Sequence, residues 1–455
     1  MVGSKKRTIL VLLLSGVLAF GATLSVTAGG AKEAATSGSN PYQGTTITVV
    51  GLDRPSYAAA QKLTPEFEKQ TGIKVKWAIF PYESTLKEET LNFVSNSQQF
   101  DVILTDVVWP GVFGQANWVV PAEHFLNNKS LADPNFDMAD FIPIWIKAFT
   151  WGDKLLGIPF DSYSGLLYYN KKMLADAGFN APPKTWEELL NVYAPKLTDK
   201  AKGIYAYALQ SRRGETQSCD AFARFLWPWG GKFLNSQTFQ PEVTSAGSKA
   251  GMEFRQKLLP YMPPGIVNDD HGEVVQLLAQ GKVAMITEWS SFYATLMDPS
   301  QSKITNDLGV AVEPAGPDGR VPAFGGFAYM VSTQIPEKLQ NASWLFIQWL
   351  TSKEMAKPLI ENGAVVARLS ADTDPSLQAK YPYLAPMVES WKTTTDIFRP
   401  RFAEWPQLSE ITSNWGTQIE LGQVSIDQGL ENISKEFQKV LSDSGYYSGK
   451  KPKIQ

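Results

Sequence analysis

The chain has 455 residues, 44% of them hydrophobic, and a formal charge of −3 from 42 Lys and Arg against 45 Asp and Glu. That length supports two domains with packed cores, and the single cysteine, Cys219, excludes an intramolecular disulfide framework. With no Lys/Arg-rich run beyond the N-terminus, the chain lacks the basic surface that nucleic acid requires as a partner.

Lys5-Lys6-Arg7 precedes an apolar run from Ile9 to Phe20, and Val26-Thr27-Ala28 supplies small residues of the kind a signal peptidase reads. Residues 1–28 are therefore expected to be a cleaved secretory signal, with an uncleaved anchor as the alternative. No cysteine follows at the cleavage point, so a bacterial lipoprotein anchor is not expected. Loss of this segment leaves 39 cations against 45 acids, a balance of −6. Residues 29–43, rich in Gly, Ala, Ser and Thr, read as a flexible leader.

Thr45 to Gly51 reads as a strand, and Ala58 to Thr71 as a helix stopped by Gly72. Ile73, Val75, Trp77 and Ile79 alternate as a second strand, and the apolar stretch from Phe100 to Thr105 as a strand buried on both faces. This β-α-β order implies an α/β fold with a mainly parallel sheet, whose ligands collect outside the carboxyl ends of the strands. Asp53 and Arg54 end the first strand, and Asp106 and Trp109 follow the buried one. A solvated turn explains Asp53 and Arg54 equally well.

Further on, Gly157-Ile158-Pro159, then Leu167-Tyr168-Tyr169-Asn170-Lys171, then Pro183-Lys184-Thr185-Trp186-Glu187-Glu188 occur in order. Thr185 and Glu188 form a capping-box pattern, which any helix could use. The ordered set resembles the hinge-crossing segment of extracellular solute-binding proteins of ABC importers, in the maltose-binding-protein-like sugar and polyol branch. Phe100-Asp101-Val102-Ile103, Gly281-Lys282-Val283-Ala284-Met285 with Trp289, Phe324-Gly325-Gly326-Phe327, Thr351-Ser352-Lys353-Glu354, and Gly363 to Arg368 extend the resemblance. So do Arg399-Pro400-Arg401-Phe402-Ala403-Glu404-Trp405-Pro406 and a last helix from Ile426 to Leu441. It covers about residues 45–441.

The resemblance implies a two-lobed fold of the type II-like periplasmic-binding kind. Lobe one would take residues 45–156 and 312–365, lobe two 157–311 and 366–441, and 442–455 would be a tail. It implies a ligand site from Asp53, Arg54, Asp106, Trp109, Asp161, Tyr163, Trp289, Gly325, Gly326, Phe327, Arg368, Glu404 and Trp405. The solute would be a carbohydrate or sugar alcohol, the partner the transmembrane permease subunits, the location periplasmic, and the receptor a monomer without cofactor. No P-loop pattern occurs, so the energy source would lie on another subunit.

The 14 Trp, 16 Tyr and 24 Phe suit sugar rings, whose apolar faces aromatic planes cover, although most must be core. An amino-acid ligand would need a fixed charge pair for its termini. Arg212, Arg213, Trp227 and Trp229 lie in a region, residues 211–231, whose register the resemblance leaves open. The alternative is a secreted carbohydrate-active hydrolase using carboxylate pairs such as Asp101/Asp106 or Asp269/Asp270. A surface adhesin would not need the hinge pattern. The two histidines, His124 and His271, have no metal-binding or catalytic context.

Overall fold

The computed structural model describes residues 41–454. The expected secretory segment and most of the expected leader lie outside the described residues. Among the described residues, no helix is long and apolar enough to cross a membrane.

The chain opens with β1 (Thr46–Leu52), α1 (Pro55–Thr71), β2 (Lys74–Phe80), α2 (Tyr82–Ser95) and β3 (Val102–Asp106). Pro55 starts α1 where its missing N–H is not needed, and Gly72 ends it at φ 72°, the left-handed conformation expected of a glycine stop. β1 pairs in parallel with both β2 and β3, as the β-α-β order predicts. Every residue of β3 is buried. The Asp101 carboxylate is spent on the backbone N–H of Thr48 at 2.6 Å, which ties β3 to β1.

The remaining elements that place the site are β4 (Ile158–Asn170), β5 (Tyr205–Ala208), α3 (Asp220–Arg224), α4 (His271–Ala279), β6 (Val283–Trp289), β7 (Leu308–Val312), β8 (Phe324–Ser332), α5 (Glu337–Leu350), α6 (Trp405–Glu420) and α7 (Ile426–Asp443). Nine strands form one continuous sheet, ordered β2-β1-β3-β8-β4-β6-β5, with β7 also on β4 and the short strand Val119–Val120 on β8. The outer pairs are parallel, whereas β8 and β7 return antiparallel to their neighbours.

The two lobes follow from β4, whose thirteen residues are too many for one partner set. From Ile158 to Ser164 it pairs with β8 in the first half-sheet, and from Gly165 onward with β6 and β7 in the second. A Cβ on Gly165 would lie 2.0 Å from Glu313 Oε1 and 2.7 Å from Arg224 Nη1, so any other residue at this change of partners would have to displace the buried Arg224–Glu313 pair. The sequence resemblance put a crossing at Gly157-Ile158-Pro159; the strand starts there, and the change of partners comes later along it.

Thr185 caps its helix as expected, accepting from the N–H of Glu188 at 3.1 Å. Glu188 reaches back to the N–H of Lys184, at 2.7 Å, rather than to that of Thr185. α5 packs its Ala342, Phe346 and Leu350 face into the core, all three fully buried, with Phe346 edge-on to Phe67 of α1 at 5.2 Å.

Candidate functional site

The site is built where the half-sheets meet. In β8, Phe327 stands opposite Asp106 of β3 on one side and Asp161 of β4 on the other. Directly opposed residues share a face of the sheet, so two carboxyls flank one aromatic ring. Both acids are buried. Asp161 accepts from the Ser56 hydroxyl at 2.8 Å through one oxygen, and its other oxygen has no hydrogen-bond partner among the described residues. Asp106 takes the Val108 N–H at 3.2 Å, and its Oδ2 is likewise unpartnered.

Burial raises both acids. Asp161 is pushed up to about 7 by desolvation, opposed by the Ser56 hydrogen bond and the Arg54 charge. Asp106 is pushed up to about 6, again by desolvation and against the pull of Arg399. An unpartnered buried carboxylate oxygen is costly, and a ligand hydroxyl that donates to it removes that cost.

Aromatic side chains enclose this row. Tyr82, the first residue of α2, lies 5.2 Å from Trp109, and Tyr163 meets Trp289 edge-on at 5.0 Å. Trp289 ends β6 and is buried; the guanidinium of Arg224 lies 5.0 Å from its ring and that of Arg399 5.8 Å. Gly325 and Gly326 bring β8 close enough for this. A Cβ on Gly325 would meet the Tyr163 ring at 2.5 Å, and Gly326 adopts φ 152° with the Asp161 carbonyl 2.8 Å from where its Cβ would be.

Two arginines complete the cluster. Arg54 is half-buried, 5.4 Å from the Tyr82 ring and 5.5 Å from the Phe327 ring, and donates to the Tyr163 hydroxyl at 3.4 Å. No carboxylate lies within ion-pair distance of it among the described residues. Arg399 donates to Glu215 at 2.6 Å and faces Asp106 at 3.6 Å. Glu215 also accepts from the Tyr82 hydroxyl at 2.5 Å and from the Trp405 indole at 3.4 Å. A cavity of about 350 Å³ opens beside these groups, lined by Tyr82, Trp109, Glu215 and Trp405 among others. A larger groove of about 730 Å³ lies around Phe67 and Trp349, and neither Asp106 nor Asp161 lines it.

Of the residues the resemblance singled out, Arg54, Asp106, Trp109, Asp161, Tyr163, Trp289, Gly325, Gly326, Phe327 and Trp405 converge here. Three do not. Asp53 is exposed at the start of α1. Arg368 is buried away from the cluster, 3.7 Å from the Phe141 ring, donating to the carbonyls of Thr351 and Asp137. Glu404 accepts from the Tyr446 hydroxyl at 2.5 Å and pairs with Lys451, holding the C-terminal tail.

Tyr82, Glu215 and Arg399 were not singled out. Glu215 opens a wide helical turn, Glu215–Cys219, whose Thr216 carbonyl accepts from Nε2 of His271 at 2.8 Å. Its place could not be read from a region of open register. Arg399 opens the stretch Arg399 to Pro406, and the two carboxylates it meets, Asp106 and Glu215, are distant in sequence. The acidic pairs behind the hydrolase alternative have other work: Asp101 binds the Thr48 N–H, and Asp270 caps α4 and pairs with Arg212 at 2.7 Å.

Comparison with known proteins agrees with this geometry. A probable amino-acid ABC transporter periplasmic-binding protein of Sinorhizobium fredii is 25% identical over 79% of this chain and 80% of its own. The mannitol-binding protein of Pseudomonas aeruginosa is 22% identical, covering 88% of this chain and 94% of its own. Among solved structures, an ABC transporter solute-binding protein from Agrobacterium radiobacter in complex with ribitol superposes with a TM-score of 0.80 at 26% identity, over 88% of this chain and 100% of that one. The family profile described as bacterial extracellular solute-binding protein matches residues 52–357, more than half of the chain. With two half-sheets joined through β4 and a polar, aromatic cluster between them, the chain belongs to the bacterial extracellular solute-binding protein family.

Proposed function

We propose that the chain captures a carbohydrate or sugar alcohol between its lobes and delivers it to the permease of an ATP-driven importer. The single observation that carries this reading is the row Asp106–Phe327–Asp161: two buried carboxyls, each with a free acceptor oxygen, on either side of an aromatic ring. Polyhydroxyl solutes present both hydroxyl donors and apolar C–H faces, and such groups are what the row lacks. The relatives named for mannitol and ribitol support the same class.

Charge balance points the same way. Asp106 and Glu215 share Arg399, and Asp161 sits near Arg54. The cluster therefore holds nearly matched charge, which suits an uncharged solute. A reading as an amino-acid receptor rests on Arg54, which has no carboxylate partner among the described residues, and on the Sinorhizobium relative's description.

Lobe bounds near residues 45–156 with 312–365, and 157–311 with 366–441, belong to this proposal, as do a cleaved signal at 1–28, a monomeric receptor and closure about crossings near Gly157-Ile158-Pro159, Gly309 to Pro314 and Gly363 to Arg368. A thermal-shift screen across pentitols, hexitols, hexoses, disaccharides and amino acids tests it. A ligand that binds only the folded state adds about 2.7 kcal/mol at a hundred times its dissociation constant. A shift with an amino acid and none with any polyhydroxyl compound would reverse the assignment.

A further inference from the structure

Arg399 lies on a segment gripped from both lobes. The Phe398 carbonyl accepts from the indole of Trp227 in lobe two at 2.8 Å. The Arg401 carbonyl accepts from the N–H of Gly111 in lobe one at 3.0 Å, and the Arg401 side chain donates to the carbonyl of Lys147 at 2.6 Å. A Cβ on Gly111 would lie 2.6 Å from the Arg401 carbonyl, so the approach from lobe one depends on that glycine. The Phe402 ring packs on Phe239 in lobe two, centroids 5.1 Å apart.

From this wedge the Arg399 guanidinium reaches a carboxylate of each lobe. Glu215, from lobe two, is bonded at 2.6 Å, and Asp106, from lobe one, faces it at 3.6 Å. Tyr82 of lobe one crosses in the other direction to bond Glu215 at 2.5 Å. Arg399 is 2% exposed and Asp106 fully buried, so these contacts are shielded from bulk solvent and weakly screened by salt. The chain thus joins its lobes, at the site itself, through its own side chains.

We propose that Arg399, with Glu215 and Tyr82, is an interlobe latch: a positioning residue that holds the lobes together across the site and sets how much closure costs the solute. The inference rests on the two-lobed receptor reading but not on the identity of the solute. A solute that bonds Asp106 and Glu215 exchanges partners with Arg399, so the latch weights the open and closed populations before solute arrives. Removing it shifts that balance toward the open arrangement.

The test is a spin-label distance measurement without solute, between Val94→Cys in lobe one and Val192→Cys in lobe two, both exposed positions. Cys219 is buried and stays unlabelled in the folded protein. Tyr82→Phe removes one hydroxyl from the latch, and Arg399→Met removes its centre. Both variants should shift the distribution to longer separations by several ångströms, Arg399→Met more than Tyr82→Phe. If Arg399→Met does not fold, Tyr82→Phe decides. Distributions that coincide with wild type in every folded variant would overturn the latch. A failed solute titration of the wild-type protein would instead count against the receptor reading and leave the distance result standing.

Discussion

Arg368 and Arg399 look alike by burial and differ in what they join. Both are nearly inaccessible, and both lie near aromatic rings. Arg368 donates to the carbonyls of Thr351 and Asp137 and lies 3.8 Å from Asp140, partners that all come from the segments proposed for lobe one. Arg399 meets carboxylates from opposite lobes. A buried arginine whose partners all come from one lobe fixes a fold; one whose partners come from both can also govern their motion. Burial alone does not separate these roles, whereas the chain origin of the partners does.

The largest expected effect sharpens the Arg368 side of that comparison. Arg368→Met leaves the Thr351 carbonyl without its donor, takes one of two donors from the Asp137 carbonyl and leaves Asp140 without its buried cation, and should cost on the order of 3–5 kcal/mol of stability. Urea unfolding measures that loss. Solute affinity of the folded fraction should stay at the wild-type value, and a matching fall in affinity would put Arg368 back at the site.

Asp161 tests the interlobe side through pH. Folded, it holds its proton up to about 7, against an ordinary value of 3.8. Between those values the folded state binds more protons than the unfolded one, so stability falls as pH rises through the window. Asp161→Asn, which keeps an acceptor for Ser56, should flatten that slope. It should also be more stable than wild type at pH 8 by on the order of 2–4 kcal/mol. Parallel melting-temperature curves for the two proteins from pH 4 to 8 would contradict the raised value.

Trp289→Ala should weaken solute binding by about 1–3 kcal/mol, the scale of a lost aromatic anchor. Calorimetry on the folded variant checks this, and a pure loss of stability would make Trp289 a core residue. The smallest effect belongs to Asp53→Asn. Its side chain is exposed, so stability and affinity should both change by less than about 0.5 kcal/mol.

The fold was legible in the sequence wherever local chemistry and periodicity agreed. The alternation through Val75 and Trp77, the stop at Gly72 and the cap at Thr185 each specify a conformation from nearby residues alone. The site was legible where it follows strand ends, which is why Asp106 and Trp289 were within reach. Glu404 was misleading because α6 begins at the next residue, and the turn that starts the helix points it toward Tyr446 and the tail. Tyr82, Glu215 and Arg399 come from an α2 start, a wide turn and an interlobe segment. Their meeting is a property of how the lobes pack, which no local pattern encodes.

The central claim is that the row of Asp106, Phe327 and Asp161 receives an uncharged polyhydroxyl solute. The most direct measurement is calorimetric titration of wild type, Asp106→Asn and Trp289→Ala with ribitol, mannitol, maltose and a set of amino acids. Saturable one-to-one binding of at least one of the three polyhydroxyl compounds is predicted, with affinity falling by roughly tenfold or more in each folded variant, as expected for a lost charged hydrogen bond or aromatic anchor. Binding of an amino acid alone, or polyol binding unchanged in both variants, would contradict it.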